Sequence, residues 1–362
     1  MKGRVIFVAA GVSLILTGVA MPMIRQSPRL GDPMPGLSQD ELARFTQGKA
    51  VFSREFTANT GLGPFFNNVS CAQCHEDPTT GGAGAFNEED VDVERHATAG
   101  DQPTCNELSA FGGPVFREQT TGPPLPPIPA EAEVHVGSRS TPMLFGFGLI
   151  EAIPESAILA HEGRAGGRAA RLPNGRLGRF GRKATDHDLP TFVTGAFVNE
   201  QGVIVEGVDV PVELSLADRD LTVDFIRFLA PPSPVHRDRM DHEGRETFHR
   251  VGCAECHVPS FVTKSPIKVL DQQVVYLYSD LLLHDMAPAL ADLCKGVAGR
   301  AEFRTEPLMG LRARTRFLHD GRALTLESAI VQHGGQGAPA AAAFLNLSRR
   351  DRDVLLRFLK SL

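Results

Sequence analysis

The stretch Cys253-Ala254-Glu255-Cys256-His257 decides the fold of this chain, together with its earlier copy Cys71-Ala72-Gln73-Cys74-His75. The C-x-x-C-H pattern is the attachment signature of c-type haem. Two thiols on one helical turn can bond the two vinyl groups of a haem, and the adjacent histidine supplies an axial iron ligand. A lone C-x-x-C could instead hold zinc or form a redox dithiol. Two complete copies behind an export-type N-terminus predict two covalently bound c-type haems, with Cys71, Cys74, Cys253 and Cys256 as attachment points and His75 and His257 as ligands.

The N-terminus predicts the compartment. Lys2 and Arg4 precede an apolar run over residues 5–20 that ends in small residues, as in a secretory signal peptide. An uncleaved membrane anchor is the alternative. Both place the body of the protein in the periplasm, where c-type haem is attached.

The composition limits the fold classes and the kinds of partner that the chain can have. The 362-residue chain has a formal net charge of −6 and no basic run, which argues against a nucleic-acid partner. Its 36 Gly and 26 Pro predict a loop-rich fold with few strands. Beyond the haem motifs, Cys105 and Cys294 remain. They form either a disulfide, as an oxidising compartment allows, or two buried thiols.

Sequence patterns that recur around the two motifs indicate a duplicated unit. Gly48-Lys49-x-x-Phe52 recurs as Gly244-Arg245-x-x-Phe248, in each case ahead of a haem motif. Ser215-x-x-Asp218 and Ser348-x-x-Asp351 each open a later helix with one apolar face. Helix, haem motif and closing helix are the layout of a cytochrome c domain. The sequence therefore predicts an all-α fold of two cytochrome c-like domains, each with one haem.

The predicted domains differ in size. After the signal peptide or anchor at 1–20, residues 21–37 form a linker, 38–234 the N-terminal haem domain and 235–362 the C-terminal one. The boundary is the proline-rich run that ends at residue 234. Long, loop-rich insertions enlarge the first domain.

Further stretches carry a resemblance to a known family. In chain order they are 138–142 (SRSTP), 148–155 (GLIEAIPE), 178–184 (GRFGRKA), 278–286 (YSDLLLHDM), 303–305 (FRT), 317–322 (FLHDGR) and 333–335 (HGG). On these stretches the chain resembles the di-haem oxidoreductase family, whose members carry peroxidase or thiol oxidoreductase labels. That family is similar to the bacterial di-haem cytochrome c peroxidases and to the methylamine-utilisation di-haem enzyme. The resemblance implies an all-α, two-domain fold with one haem per domain.

The resemblance also bears on the axial ligands. Relatives carry a Met or Tyr ligand of the C-terminal haem at the place of His333. We expect His333 to be the sixth ligand of the second haem, which would make that haem an electron-transfer centre; Met286 and Met309 are the alternatives. No histidine stands where relatives carry a labile ligand of the first haem. We expect His96, the nearest one, to lie in a solvated loop, and the first haem to be open.

Peroxide cleavage needs a group that moves a proton between the two oxygens. Relatives use a carboxylate, and we expect this role for Glu151 or Glu155, because apolar neighbours would raise the pKa of either. Arg139, Arg304 and Arg322 are candidates for pairing with haem propionates, since guanidinium groups bind carboxylates in a bidentate manner. The resemblance allows a structural calcium, although no acidic loop has the spacing that would require one.

Three functions remain open. The first is an exported oxidoreductase that reduces peroxide or another small oxidant at the first haem. A small periplasmic cytochrome or cupredoxin would supply its electrons through the second haem. The second is an electron carrier without catalysis, and the third a biosynthetic oxidase that acts on a partner protein. The long insertions favour a substrate pocket and hence the first. The chain has no Trp, so electrons are expected to pass between the haems directly or through Tyr276 and Tyr278.

Overall fold

The computed structural model describes residues 28–84, 93–132, 136–209, 211–233 and 239–362. The predicted signal peptide, the first part of the predicted linker and Pro234 lie outside these ranges. Within them, no helix combines the length and the apolar character needed to span a bilayer.

Regular structure is mainly helical, and long loops connect it. The helices of the described residues are α1 (Gln39–Phe52), α2 (Cys71–Cys74), α3 (Phe147–Glu151), α4 (Glu155–Leu159), α5 (Leu189–Glu200), α6 (Leu216–Phe228), α7 (Arg239–Arg250), α8 (Leu326–Val331), α9 (Ala338–Leu345) and α10 (Arg349–Leu359).

Short strands were not part of the all-α prediction. They are β1 (Phe65–Phe66), β2 (Val93–Ala97), β3 (Gln119–Thr120), β4 (Val136–Ser140), β5 (Phe261–Val262), β6 (Val274–Val275), β7 (Leu283–Asp285) and β8 (Glu302–Arg304). They pair as antiparallel two-stranded ribbons, β1 with β3, β2 with β4, β5 with β6 and β7 with β8. Each ribbon joins two loop segments by backbone hydrogen bonds. The fold is therefore helical and loop-rich, with four small two-stranded sheets among the described residues.

The first haem motif lies beside a close pair of helices, α1 and α6. A β-carbon on Gly48 would lie 2.7 Å from the carbonyl carbon of Leu221, so only glycine permits this crossing. One turn later, the ring of Phe52 has its centroid 5.0 Å from that of Phe225 on α6 and 5.8 Å from that of His75. The helix pair therefore positions His75.

The second motif lies beside an equivalent pair, α7 and α10. A β-carbon on Gly244 would lie 2.7 Å from the carbonyl oxygen of Val354. The Phe248 ring centroid lies 5.7 Å from that of Phe358 on α10 and 6.4 Å from that of His257. The repeated Gly-x-x-x-Phe pattern has the same physical cause in both copies: a close helix crossing, followed by an aromatic contact with the motif histidine.

Two hydrophobic cores surround the two motifs, but they do not divide at the predicted boundary. The larger core contains Phe225 and also takes in Val258 and Leu282, which lie beyond residue 234. The smaller core contains Phe248 and Phe358. The segment after the second motif therefore packs against the first half of the chain.

Cys105 and Cys294 form a disulfide, which decides between the two alternatives that the sequence left open. The bond joins positions 189 residues apart. It ties the insertion of the first half to the loop that follows β7.

Candidate haem sites

The first motif is arranged as one capped helical turn. Ser70 Oγ accepts a hydrogen bond from the backbone N–H of Gln73 at 3.3 Å, which closes the N-terminus of α2. Cys71 and Cys74 form no disulfide within the described residues, and both are partly buried. Burial raises the pKa of Cys71 to about 12, whereas a redox dithiol needs a lowered thiol pKa. The turn suits covalent attachment of a haem better than thiol chemistry.

His75 has the form of a metal-ligating imidazole. Its Nδ1 donates to the carbonyl of Gly82 at 3.0 Å, which leaves the lone pair on Nε2. A ligand histidine is commonly held in this way by a hydrogen bond at its other nitrogen. Burial lowers the pKa of His75 to about 4, so the ring is neutral, as a ligand must be.

The second motif repeats the arrangement with a short 3-10 turn over Cys253–Glu255. His257 Nδ1 donates to the carbonyl of Tyr278 at 2.9 Å, which again leaves Nε2 free. Burial lowers the pKa of His257 to about 4. Both motif histidines are thus neutral and presented through the same nitrogen.

A third imidazole faces the second motif. The ring centroids of His257 and His333 lie 6.5 Å apart. Two imidazole nitrogens each about 2 Å from one metal ion would put the ring centroids about 6 Å apart, so the gap is the size that a shared iron requires. His333 Nδ1 donates to the carbonyl of Ala329 at 2.8 Å, and burial lowers the pKa of His333. These observations support the predicted role of His333.

The two methionines considered as alternatives lie in different surroundings. The methyl group of Met286 lies near Gly337, in the loop that follows His333, while the end of Met309 packs against Gly146 beside the larger core. Of the three candidates, His333 is the one whose side chain is recorded beside the ring of His257.

A cavity of about 310 Å³ opens beside the first motif. Cys71, Cys74 and His75 lie on its wall with apolar residues such as Phe52. Charged and titratable side chains share the wall, among them Glu94, His96, Arg139, Lys183, Glu200 and Arg304. The cavity therefore combines the attachment points of a haem with acid–base groups.

Two carboxyl groups meet on this wall. Glu94 and His96 alternate along β2, so their side chains share one face of the ribbon with Arg139, the cross-strand partner of Glu94. His96 Nε2 lies 3.0 Å from a Glu94 oxygen. Glu200, at the end of α5, accepts from Asn67 Nδ2 at 2.6 Å and lies near enough to Glu94 for the charge of Glu94 to raise its pKa. Two neighbouring buried carboxyl groups resist being ionised together, so one of them favours its protonated form.

The electrostatics agree with one protonated carboxyl group. Burial, with a further contribution from the charge of Glu94, raises the pKa of Glu200 to about 7. Burial also raises the pKa of Glu94, although Lys295 and Arg139 oppose the change. Burial and the charge of Arg139 lower the pKa of His96 to about 3, so the ring is neutral and can donate its Nε2 proton to Glu94.

The predicted place of His96 was wrong. His96 is buried within β2 and lines the first cavity, because the β2–β4 ribbon carries the charged stretch inward. Glu94 and Glu200 were not predicted at all. The one sequence signal was the alternation of Glu94 and His96 around Arg95, which is typical of a strand.

Buried cations line the same cavity. Arg139 and Lys183 both pair with Asp292, and Arg304 lies 3.1 Å from a Glu306 oxygen. Arg139 Nη2 is buried and has no hydrogen-bond partner among the described residues. A guanidinium group with an unused N–H donor can bind the carboxylate of a haem propionate; both Arg139 and Arg304 line the cavity, and their pairing with propionates stays a prediction. Arg322 instead pairs with Asp320 and is 42% exposed.

The two predicted catalytic carboxylates lie elsewhere. Glu151 ends α3 with its carboxylate 2.8 Å from Arg227 Nε and 2.9 Å from the backbone nitrogen of Leu189, and it is not part of the cavity wall. Glu155 opens α4 and lies 3.3 Å from Arg176 at the surface. The apolar neighbours of Glu151 in the sequence suggested an isolated carboxyl group, but Arg227 reaches it from α6 and forms an ion pair with it.

Within the described ranges, no three His, Cys, Asp or Glu side chains converge as in a metal-ion site. The calcium site stays a prediction.

Comparisons with known proteins also indicate a di-haem oxidoreductase. A family model described as "Di-haem oxidoreductase, putative peroxidase" matches residues 26–100 and 187–362, more than half of the chain. None of the curated proteins compared matches the chain. Similar solved structures include the diheme peroxidase BthA of Burkholderia thailandensis, with 15% identity, 93% of each chain covered and a TM-score of 0.47.

Two further solved structures resemble the chain with similar sequence identity and TM-score. A MauG-like protein associated with microbial copper homeostasis has 16% identity, with 93% of this chain and 94% of that chain covered and a TM-score of 0.41. A hydrazine synthase of Kuenenia stuttgartiensis has 16% identity, with 98% of this chain and 100% of that chain covered and a TM-score of 0.42.

Proposed function

The chain belongs to the di-haem oxidoreductase family, and from that premise we propose that it is an exported c-type oxidoreductase that reduces peroxide at its first haem site. One observation carries the proposal. The cavity beside His75 brings a neutral imidazole, held through Nδ1, and two neighbouring carboxyl groups onto one wall. The haem bound at each motif would supply an iron that exchanges electrons, with His75 as ligand at the first site.

The residues of the cavity suit the proton chemistry of this reaction. Reducing hydrogen peroxide to two waters consumes two protons and two electrons. Glu200, about half protonated near neutral pH because burial raises its pKa to about 7, would give a proton to the departing hydroxide. Glu94 would hold the proton taken from the attacking oxygen, with its carboxylate oriented by His96. Arg139 balances the negative charge. We therefore assign the acid–base role to Glu94 and Glu200 rather than to Glu151.

The second site suits electron storage. His257 and His333 face each other across a gap that one iron would fill, and a haem with two strong ligands exchanges electrons without binding peroxide. A small periplasmic cytochrome or cupredoxin would reduce this haem. Tyr276 is 49% exposed and Tyr278 packs in the smaller core, and electrons would pass between the haems directly or through these two rings.

Peroxide turnover by matched variants tests the proposal. Glu200→Gln removes the titratable carboxyl group of Glu200 from the cavity, and Glu151→Gln removes the partner of Arg227. With both haems attached, we expect Glu200→Gln to slow peroxide reduction by about 10²–10⁴-fold, and Glu151→Gln to retain most of it. Loss of turnover in Glu151→Gln alone would restore the sequence-based assignment. If the wild-type protein carries two haems but does not react with peroxide, the proposed activity is refuted and the electron-carrier function is favoured instead.

A further inference from the structure

A buried histidine outside the predicted ligand set touches the second haem motif. His284, in β7, is 3% exposed, and its Nδ1 lies 3.6 Å from Cys256 Sγ. On attachment of a haem, this sulfur would become the thioether. His284 is therefore a titratable group in contact with this attachment point.

Hydrogen-bond geometry assigns a positive charge to His284. Its Nε2 lies 2.9 Å from Asp280 Oδ2, and its Nδ1 lies 2.9 Å from Gln336 Oε1. The amide of Gln336 is oriented by its own contacts: its Nε2 donates to the carbonyl of Gly166 at 3.2 Å, and its Oε1 accepts from the backbone of Asp285 at 3.3 Å. Both ring nitrogens of His284 thus meet acceptors, and only the imidazolium donates from both.

The surroundings support that protonation state. Burial works against the charged ring, but the hydrogen bond and charge of Asp280, together with those of Cys256 while its thiol is free, outweigh burial and raise the pKa of His284. The contribution of Asp280 remains when Cys256 is a thioether. Asp280 is fully buried and binds the ring nitrogen remote from Cys256. The cationic end of the pair therefore points toward the sulfur.

Gln336 also connects this network to His333, three residues earlier in the chain. The intervening glycines lie close against the end of β7: a β-carbon on Gly334 would lie 2.7 Å from the Met286 carbonyl oxygen, and one on Gly335 would lie 2.8 Å from the Ala287 nitrogen. The loop that carries His333 is thus seated on the strand that carries His284.

We propose that Asp280, His284 and Gln336 act together as positioning residues of the second haem site, an inference that rests on the proposed function. Gln336 seats the loop so that His333 faces His257. The charge of His284 beside Cys256 favours the reduced state of the haem held there, because a nearby positive charge stabilises an added electron. The network would make the second haem a better electron acceptor than its two imidazole ligands alone allow.

Redox titration of the haem-loaded protein tests the charge of His284. His284→Gln keeps a hydrogen-bonding side chain but removes the charge, and His242→Gln, on the exposed face of α7, is the matched control. We expect His284→Gln to lower the midpoint potential of one haem and leave the other unchanged, while the control shifts neither. Two haems with wild-type potentials in His284→Gln, or equal shifts of both, would overturn this role.

Gln336→Leu tests the loop by a different measurement, the spin state; it keeps His284 and its bond to Asp280 but removes the acceptor at Nδ1. We expect part of the second haem to change from low to high spin in the absorption and electron paramagnetic resonance spectra. A second haem that stays entirely low-spin would overturn the seating role. Haem content, measured first as the pyridine haemochrome, separates the failures. A wild-type protein without two covalent haems would refute the proposed function itself, whereas two haems with unmoved spectra would refute only this inference.

Discussion

Replacing Gly48 by alanine would separate α1 from α6 at the point where the pair positions His75. The added methyl group would overlap the carbonyl of Leu221 and lie 2.9 Å from Cβ of Phe225. Both obstacles are close to the backbone, so no side-chain rotation relieves them. The helices must move apart, which also moves Phe52 from the His75 ring.

The size of the effect follows from two opposing contributions. Overpacking a tight contact costs about 3 kcal/mol at the upper end of its usual range, and alanine gains up to about 1 kcal/mol over glycine inside a helix. We expect Gly48→Ala to lower the free energy of unfolding by about 2 kcal/mol. Gly244→Ala should cost a similar amount at the second site, where the obstacle is again the facing helix.

Urea unfolding followed by circular dichroism measures the loss. Gln47→Ala, exposed on the same helix, is the control and should change stability little. Haem spectra provide a second reading, because Gly48→Ala should disturb only the first haem and Gly244→Ala only the second. Glycine variants as stable as the control would refute the close-crossing explanation of the repeated motif.

Two further predictions concern stability. Replacing both Cys105 and Cys294 by alanine should lower the free energy of unfolding by about 2–5 kcal/mol, measured as the urea midpoint against the wild type under non-reducing conditions; an unchanged midpoint would show that the bond closes no costly loop. Because burial raises the pKa of Glu200 from 4.5 to about 7, the stability contributed by its protonated form is complete below 4.5 and is lost as the pH rises through about 7. Over that interval the urea midpoint of the wild type should fall relative to that of Glu200→Gln, and parallel curves would contradict the raised pKa.

The part of the site that is local in sequence could be predicted. Cys71 and His75 lie within one turn, and the Gly48-to-Phe52 pattern repeats because the same helix crossing is needed twice. His333 could be singled out because a glycine pair follows it at the place of a ligand in relatives; the structure places its ring beside that of His257, and its role as a ligand stays a prediction. Each of these signals lies within a few neighbouring residues.

The part that depends on distant contacts could not be predicted. Glu94 and His96 belong to a strand of five residues, which is too short to show a clear alternation of inward and outward side chains. Their neighbour Glu200 lies at the end of the distant helix α5. Glu151 looked isolated among apolar neighbours, yet Arg227 reaches it from α6. Which carboxyl shares a cavity with His75 is decided by long-range packing that no local pattern records.

The spin state of each haem tests the central claim most directly. Electron paramagnetic resonance of the oxidised wild type should show one high-spin haem, at the open site of His75, and one low-spin haem, ligated by His257 and His333. In His333→Ala the low-spin signal should be replaced by a second high-spin signal, with haem content unchanged. Two low-spin haems in the wild type, or a low-spin signal that survives in His333→Ala, would contradict the division into a peroxide-reacting and an electron-storing haem.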